Sequence, residues 1–449
     1  MRILFSPVGY TDPVRGYHDG PLLHILRHYE VDKVFLILTE TIEENEEKDE
    51  RYTKGIRDVS PNTEIVKKYT HIKNPQEFEV LAQMQDIFDD LYRENSKAEW
   101  LINISSATPQ IETVMALLAI DYPNVKAIQV KTPVGASNKD NPNANDKDVF
   151  CQMEHNKDKL YGAENRCEEP PLYILRRHGL VRQIISLVDN YEYDGALQIV
   201  RQNQDCGFSE DTKKLLLCAV FRKNLLWKQA NNVISDCEEK PLLEDSDDFS
   251  EYFRVMEMQK KKEQYSEFIV KLSPVLVQLG MKYLQNLHSF KLSDCGNKYK
   301  KGKTFFIDRE KMDQAYPDLA PYIQKKFGIE MRNGPLYFSA IVWICKYLKE
   351  NQYQGDEKHE KVTDIFEKLR LVEGNARNLV AHVIVNLDDN RIRQLTVQKA
   401  RNSSSMDGGL SSEEIMDRLH EAVRLIYGHD IRWNYDDMNA IIIDSLRKR

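Results

Sequence analysis

Several large protein classes are excluded by what this chain lacks. Of its 449 residues only seven are cysteine, an odd number, and no two form a CxxC pair. That argues against a disulfide framework and against structural zinc, and it fits a reducing compartment. No apolar run approaches the roughly 20 residues that cross a bilayer. The N-terminus opens on a short strand-like run, Arg2 to Val8, without the features of a signal peptide. A cytoplasmic protein with no membrane association is expected. An excess of positive charge is missing too: 63 Lys and Arg stand against 71 Asp and Glu, net -8, with a pI of about 5.9. Proteins that coat nucleic acid are strongly basic, so any RNA contact here has to be a local site. No GxGxxG follows the first strand-like run, which disfavours an ordinary dinucleotide site. The histidines other than His382 show no metal-ligand spacing, and neither metal nor cofactor is expected.

What is present divides the chain in two. At this length two or three domains are expected. Over the first ~130 residues, strand-like runs at Arg2–Pro7, Lys33–Leu38, Glu64–Lys68, Trp100–Ile104 and Val125–Val130 alternate with helical segments at Gly20–Tyr29, Glu40–Gly55, Pro75–Glu94 and Pro109–Tyr122. This alternation predicts a Rossmann-like parallel sheet with helices on both faces. The strands are continuous apolar runs, as suits a sheet covered on both sides. A polar stretch, Gly135 to Asn143, reads as a loop or linker, and Glu168-Glu169-Pro170-Pro171 as a second break. Beyond it the period is helical: Tyr173–Asp189, Tyr193–Gln202, Glu210–Phe221, Phe249–Gln278 with a break or kink at Pro274, Gly334–Lys349, Val362–Arg370, Ala376–Leu387 and Glu413–Tyr427. Ser411 to Glu414 forms a capping-box signal. Lys298 to Lys303 and Asn390 to Gly409 read as polar connections. The expected division is an α/β domain over 1–170 and an all-α region over 171–449, with its candidate catalytic part at about 330–449.

The run Gly374-Asn375-Ala376-Arg377-Asn378-Leu379-Val380-Ala381-His382 concentrates more possible chemistry than any other stretch. Arg followed five residues later by His occurs by chance on the order of once in a chain of this size, and it recurs at Arg424 and His429. There Gly428 intervenes as a helix C-cap, marking a decoy. The Asn after Arg377 makes the first copy far more selective. Gly374-Asn375 reads as a break and N-cap, with Ala376, Leu379, Val380, Val383, Ile384 and Leu387 as the apolar stripe of the next helix. Arg377, Asn378 and His382 fall on the remaining arc, with Arg377 in the first turn, where the helix favours an anion. The same arc carries Ala381 and Val385, which predicts a second packing surface, most simply the same helix of another subunit. The chemistry these residues suit is attack of an RNA 2′-OH on the adjacent phosphorus. His382 moves a proton, Arg377 stabilises the phosphorane charge, and Asn378 orients His382 or the phosphate. The products are a 2′,3′-cyclic phosphate and a 5′-OH. The plain alternative is a solvated polar face.

A second constellation, Asn103 to Gln110, leaves a strand and enters a helix with Pro109 near its first turn. Its N–H groups and the hydroxyls of Ser105, Ser106 and Thr108 suit phosphate or ribose oxygens. Ser6 to Pro13, with Gly9, Tyr10, Thr11 and Asp12, leaves the first strand, and Val130-Lys131-Thr132-Pro133 leaves the last. In parallel sheets all three loops open on the edge where ligands gather. Ordinary capping by Ser and Thr is the alternative. Glu43–Glu50 reads as a solvated acidic face and Lys260–Lys262 as solvated. Lys298, Lys300, Lys301 and Lys303 around Tyr299 form a basic loop, while Arg391, Arg393, Lys399 and Arg401 are the better RNA contacts.

Together the stretches Ser6–Pro13, Asp19–Ile25, Asn103–Gln110 and Arg377–His382 resemble the ancillary ribonucleases of type III-A (Csm) CRISPR systems, which join a CARF domain to a HEPN domain. The stretches lie in the family's order and cover most of the chain, although about 189–349 carries no matching motif. The resemblance implies a homodimer that cuts single-stranded RNA without a metal when its CARF domains bind a cyclic oligoadenylate, hexa-adenylate favoured over tetra-adenylate. It assigns Arg377, Asn378 and His382 to catalysis and Gly9, Tyr10, Thr11, Asp12, Ser105, Ser106, Thr108, Gln110 and Thr132 to the ligand. It also implies slow cleavage of the activator, with Thr108 positioning a ribose. Ala107 departs from the family, where glycine is usual, and its methyl group bears on the turn and on ligand affinity. Two rival readings make different predictions: a non-catalytic sensor that signals to a partner protein binds ligand without RNA turnover, and a toxin-like nuclease cuts without ligand.

Overall fold

A computed structural model describes residues 1–133, 148–241, 247–298, 305–382, 384–399, 406–407 and 409–448; the side chains of 298, 381, 382, 398, 399, 406 and 407 are not among those described. The polar stretch 135–143, the Lys298–Lys303 side chains, Val383, and the side chains of Ala381 and Lys399, with all of Arg401, therefore lie outside the described residues. Two compact units are present, Met1–Gly179 and Leu180–Arg449.

In the first unit, β1 (Arg2–Pro7), α1 (Pro21–His28), β2 (Lys33–Leu38), α2 (Glu40–Asp49), α3 (Arg51–Val59), β3 (Glu64–Tyr69), α4 (Val80–Glu94), β4 (Glu99–Asn103), α5 (Pro109–Asp121), β5 (Val125–Val130) and β6 (Cys167–Glu168) build one sheet and its covering helices. Strand order is β3-β2-β1-β4-β5-β6. The first five strands are parallel and β6 is antiparallel to β5. Alternation of side chains along each strand divides the core cleanly. Leu4, Val34, Leu36, Leu38, Leu101 and Ile128 pack under α1 and α3. Ile3, Phe5, Phe35, Ile37, Trp100 and Ile102 pack under α4 and α5. The expected α/β sheet is thus present.

Local departures have local causes. The helix expected over Glu40–Gly55 is two helices, because Glu50 takes a left-handed φ of 55°. The carboxylate of Glu46 makes that break worthwhile by accepting the Tyr52 N–H at 3.0 Å while pairing with Lys67 at 2.7 Å. Glu46 and Glu43 are buried, so the acidic run is not simply a solvated face. The helix expected from Pro75 starts at Val80, and Val149–Glu154 is helical, capped by Asp148.

The second unit is helical, with a small antiparallel sheet of Gly296–Lys298, Phe305–Ile307 and Gly334–Pro335. It has two cores. One gathers Ile184, Val188, Leu197, Leu216 and Ala219 with Met438, Ile442 and Leu446 of the final helix, Tyr435–Arg447. The other gathers Phe268, Leu272, Leu276, Phe338, Ile341, Phe366, Leu369 and Leu419. Pro274 does not break its helix, which runs from Tyr265 to Gln285. The break falls at Lys262–Gln264, where Glu263 has φ 57°. Trp227–Val233, Arg309–Ala315, Leu319–Phe327, Asp389–Thr396 and Tyr435–Arg447 are helices that the periodicity did not reveal. Asp389–Thr396 replaces part of the expected polar connection and is capped by the Asp388 carboxylate on the Arg391 N–H. The Ser411–Glu414 capping box is made as expected. Deep in this unit Glu251 accepts from two buried guanidiniums, Arg222 at 3.0 and 3.1 Å and Arg254 at 2.7 Å.

Candidate functional site

The parallel register brings the carboxyl ends of β1, β4 and β5 side by side, with Phe5 opposite Ile102 and Asn103 opposite Ile128. The loops leaving them are joined by specific bonds. Asn103 Nδ2 donates to Ser6 Oγ at 3.0 Å, and the Val130 N–H donates to Ser105 Oγ at 2.8 Å. Asp12 is buried and receives three donors: Ser106 Oγ at 2.6 Å, the Leu22 N–H at 2.9 Å and the Gly9 N–H at 3.3 Å. Burial pushes its carboxyl up to about 6 in spite of those hydrogen bonds. Asp12 and Ser106 therefore hold the β1 and β4 loops together. Gly9 lies so close to the β4 loop that a Cβ there would meet the Ala107 nitrogen at 2.5 Å. Ala107 itself has φ 91°, in the region that favours glycine. An alanine at this position is thus carried as backbone strain.

Thr11, Ser105 and Thr132 line a cleft of about 340 Å³ together with Arg15, Lys131 and Arg166. Tyr10 is exposed and lines a neighbouring hollow with Tyr52 and Phe150. Thr108 precedes α5 but its hydroxyl does not cap the helix; it donates to the Pro75 carbonyl at 2.5 Å, so ordinary capping does not explain this residue. A ribose role for Thr108 requires that bond to open. Gln110, in the first turn of α5, has a buried Oε1 without a partner.

Arg15 and Arg166 escaped the sequence reading. Arg15 lies in a short hairpin strand, and Arg166 directly precedes the two-residue strand β6; neither position carries a periodic signal. Arg166 is buried, with Nη1 on the Lys131 carbonyl at 2.7 Å and Nη2 on Asp158 Oδ2 at 2.8 Å. Its Nε and that of Arg15 are buried without a hydrogen-bond partner among the described residues. Asp19, which also lines the cleft, converges with His24 and Asp158 closely enough to share an ion. Their charge is already answered by arginine: Arg27 holds Asp19 at 2.6 and 3.0 Å, and Arg166 holds Asp158. Burial raises the Asp158 carboxyl, but hydrogen bonds from His24 and His18 and the Arg166 charge outweigh it and hold the group well below the usual carboxylate range. His24 Nε2 accepts the Arg166 N–H at 2.9 Å. The donor set fits an ion-pair network that fixes Arg166.

In the second unit the expected start of the motif helix is not there. Glu357–Val372 runs without a break into a π turn, Glu373–Arg377, and on into Asn378–His382. Asn375 is no N-cap; its Nδ2 donates to the Leu395 carbonyl at 3.1 Å. Arg377 is therefore not in a first turn, and no helix N-terminus serves it. The helix ends at His382 and not at Leu387, which leaves Ile384 fully exposed outside the expected stripe. Ala376 and Leu387 are buried as expected, and Val380 packs on the core. Arg377 is half-buried, with Nη1 3.3 Å from Asn378 Oδ1 and a buried Nε that meets no hydrogen-bond partner among the described residues. His382 closes the helix, and its side chain is not among those described. Arg391 is exposed, whereas Arg393 is spent on the Gly409 carbonyl at 3.2 Å and Glu414 at 3.1 Å. In the decoy, Gly428 caps the helix at φ 81° and Arg424 pairs with Asp430 at 2.7 Å, leaving His429 beyond the helix.

Known proteins resemble this arrangement over its whole length. Three family descriptions match successive parts of the chain: the Cas_Csm6 CARF domain at residues 62–167, the CRISPR-associated protein Csm6 6H domain at 170–223 and the Cas_Csm6 HEPN domain at 231–443. The CRISPR system endoribonuclease Csm6 of Mycobacterium tuberculosis is 27% identical over 99% of this chain and 98% of its own length. That of Enterococcus italicus is 27% identical over 88% of this chain and 92% of its own length. A solved structure, Enterococcus italicus Csm6 bound to cyclic hexa-2′-fluoro-hexa-dAMP, shares the fold with a TM-score of 0.67 and 21% identity, covering 99% of this chain and 100% of that one.

Proposed function

The chain belongs to the Csm6 family of CRISPR endoribonucleases, and on that premise we propose a metal-independent ribonuclease for single-stranded RNA, switched on by a cyclic oligoadenylate. Residues 1–170 act as the sensor and 171–449 as the helical region that cuts. The observation that carries the reading is the cleft at the carboxyl edge of the sheet. Arg15, Lys131 and Arg166 present cations there beside the hydroxyls of Thr11, Ser105 and Thr132. Phosphate recognises guanidinium by paired hydrogen bonds, and the Nε atoms of Arg15 and Arg166 are donors that meet no acceptor among the described residues. A six-membered ring is the proposed activator, supported by the hexa-dAMP derivative bound to the Enterococcus italicus protein. Slow cleavage of that ring at the same edge belongs to the proposal and requires Thr108 to leave the Pro75 carbonyl.

At the other site the nucleophile is supplied by the substrate. The RNA 2′-OH attacks the adjacent phosphorus, His382 takes or gives the proton, and Arg377 stabilises the charge of the phosphorane, its Nε meeting no acceptor among the described residues. Asn378 steadies Arg377 through the 3.3 Å contact and orients the phosphate. The ends left are a 2′,3′-cyclic phosphate and a 5′-OH. No step in this sequence calls for a metal. Two copies of the set line one cleft in a homodimer, and seven cysteines free of disulfides suit action in the cytoplasm.

One fluorescent RNA-cleavage assay in EDTA tests the proposal. Cutting should be slow without ligand and fastest with cyclic hexa-adenylate, with tetra-adenylate as the comparison. His382→Ala should abolish cutting and leave ligand binding intact. Undiminished cutting by that variant sinks the catalytic assignment, and full activity without ligand sinks the switch.

A further inference from the structure

The motif helix owes its course to a π turn at Glu373–Arg377, immediately before Asn378. Such a turn is rare, persists mostly as a single wide turn inside an α-helix, and often marks a functional site. Here it is braced from both sides. Glu373, with its side chain 14% exposed, accepts a 2.5 Å hydrogen bond on Oε1 from the Ser273 hydroxyl, and its Oε2 lies 3.5 Å from Arg370 Nη1. Across the turn Asn375 Nδ2 holds the Leu395 carbonyl at 3.1 Å. Arg370 Nη1 also covers Gly374, where a Cβ would come within 2.7 Å of it. Ser273 belongs to the helix Tyr265–Gln285 and stands directly before Pro274, which has no N–H to return to the Val270 carbonyl. That helix is one backbone bond short at the level where Ser273 reaches across.

The consequence is angular. A π turn carries one residue more than an α turn, so each residue beyond it is turned by about 100° from the place that a regular helix would assign. Ala376 is buried and Val380 packs on the core in this wide-turn register. Arg377 and Asn378 take their directions from the same register. If the braces go, the helix can relax toward regular geometry and turn Arg377 and Asn378 off their present arc.

We propose that Ser273 and Glu373 are positioning residues of the ribonuclease site: their hydrogen bond, made between two helices, holds the π turn that aims Arg377 and Asn378. This rests on Arg377, Asn378 and His382 being the cleavage site.

The test uses the full chain with single-stranded RNA and cyclic hexa-adenylate. Ser273→Ala and Glu373→Met, which removes the acceptor at similar volume, should each lower kcat about tenfold, the scale of one charge-assisted hydrogen bond, while KM for RNA and affinity for the activator stay within about twofold. The double variant should be no slower than Glu373→Met alone, because the bond between the two side chains is already lost there. Ser273→Thr keeps the hydroxyl and should restore most of the rate. Arg377→Ala is measured alongside. Wild-type kcat in Ser273→Ala and Glu373→Met, with Arg377→Ala inert, overturns this inference and spares the site. Wild-type cutting by Arg377→Ala overturns the site itself. A fall in kcat that Ser273→Thr does not restore, or that accompanies a lower melting temperature and weaker RNA binding, reduces the pair to a structural contact and also overturns the inference.

Discussion

Asp12 should weaken this protein at neutral pH, and replacing it by asparagine should strengthen it. Its carboxylate is buried between the β1 and β4 loops, and burial raises its pKa from an ordinary 3.8 to about 6. The fold therefore favours the protonated form. The stability so contributed is complete below pH 3.8 and is lost as pH rises to about 6. At 1.36 kcal/mol for each pH unit, the ionised group costs about 3 kcal/mol at pH 7. Asparagine keeps the shape without the charge. Its oxygen can accept the Leu22 N–H and its amide can donate to Ser106 Oγ, while the Gly9 N–H loses its acceptor, a loss of about 1 kcal/mol. The net expectation for Asp12→Asn is a gain of about 2 kcal/mol at pH 7 that vanishes or reverses near pH 4. Hydrogen exchange of the Arg2–Pro7 and Glu99–Asn103 amides, compared between the two proteins from pH 4 to 7.5, reads the difference directly. A variant less stable than wild type at pH 7, or a difference flat across that range, refutes the reasoning.

Two further substitutions probe the scaffold. Glu251→Gln leaves the buried guanidiniums of Arg222 and Arg254 without an anion and should destabilise the helical unit by about 3 kcal/mol or more. The readout is a lower urea midpoint at unchanged slope, and a loss below about 1 kcal/mol would mean that the cluster is not desolvated as described. Gly9→Ala forces a Cβ to within 2.5 Å of the Ala107 nitrogen and should part the two loops, weakening binding of cyclic hexa-adenylate about tenfold or more by calorimetry. Gly179→Ala, with nothing within 4 Å of its Cβ, is the control that should bind as the wild type.

Much of this molecule is written in local periodicity. The apolar runs of β1, β2 and β4, buried on both faces, could be read directly, and so could helices such as Tyr173–Asp189 and Tyr193–Gln202. Ser411–Glu414 and Gly428 announced the ends of one helix because caps are made by neighbours in sequence. The loops of the sheet edge were legible for the same reason: each leaves a recognisable strand. Where periodicity is weak or a contact is distant, the reading failed. Tyr435–Arg447 is helical by virtue of packing on Ile184 and Val188, some 250 residues earlier in the chain. Glu263, not Pro274, ends its helix, since a left-handed residue stops a helix outright whereas a proline removes one bond.

The chain alone marked the candidates for chemistry: Arg377, Asn378 and His382 in one short run, and the hydroxyl-rich loops after β1, β4 and β5. Only tertiary structure decided how they are presented. Asp12 joins Ser106 from 94 residues away and so ties two loops together; Arg166, just ahead of a two-residue strand, lines the cleft while held by Asp19 and Asp158. Ser273 holds Glu373 across 100 residues and keeps the turn that sets the direction of Arg377 wide. Short-range patterns record which faces are buried, because burial repeats with the element. A contact between distant residues repeats with nothing, and leaves no mark on the sequence around either partner.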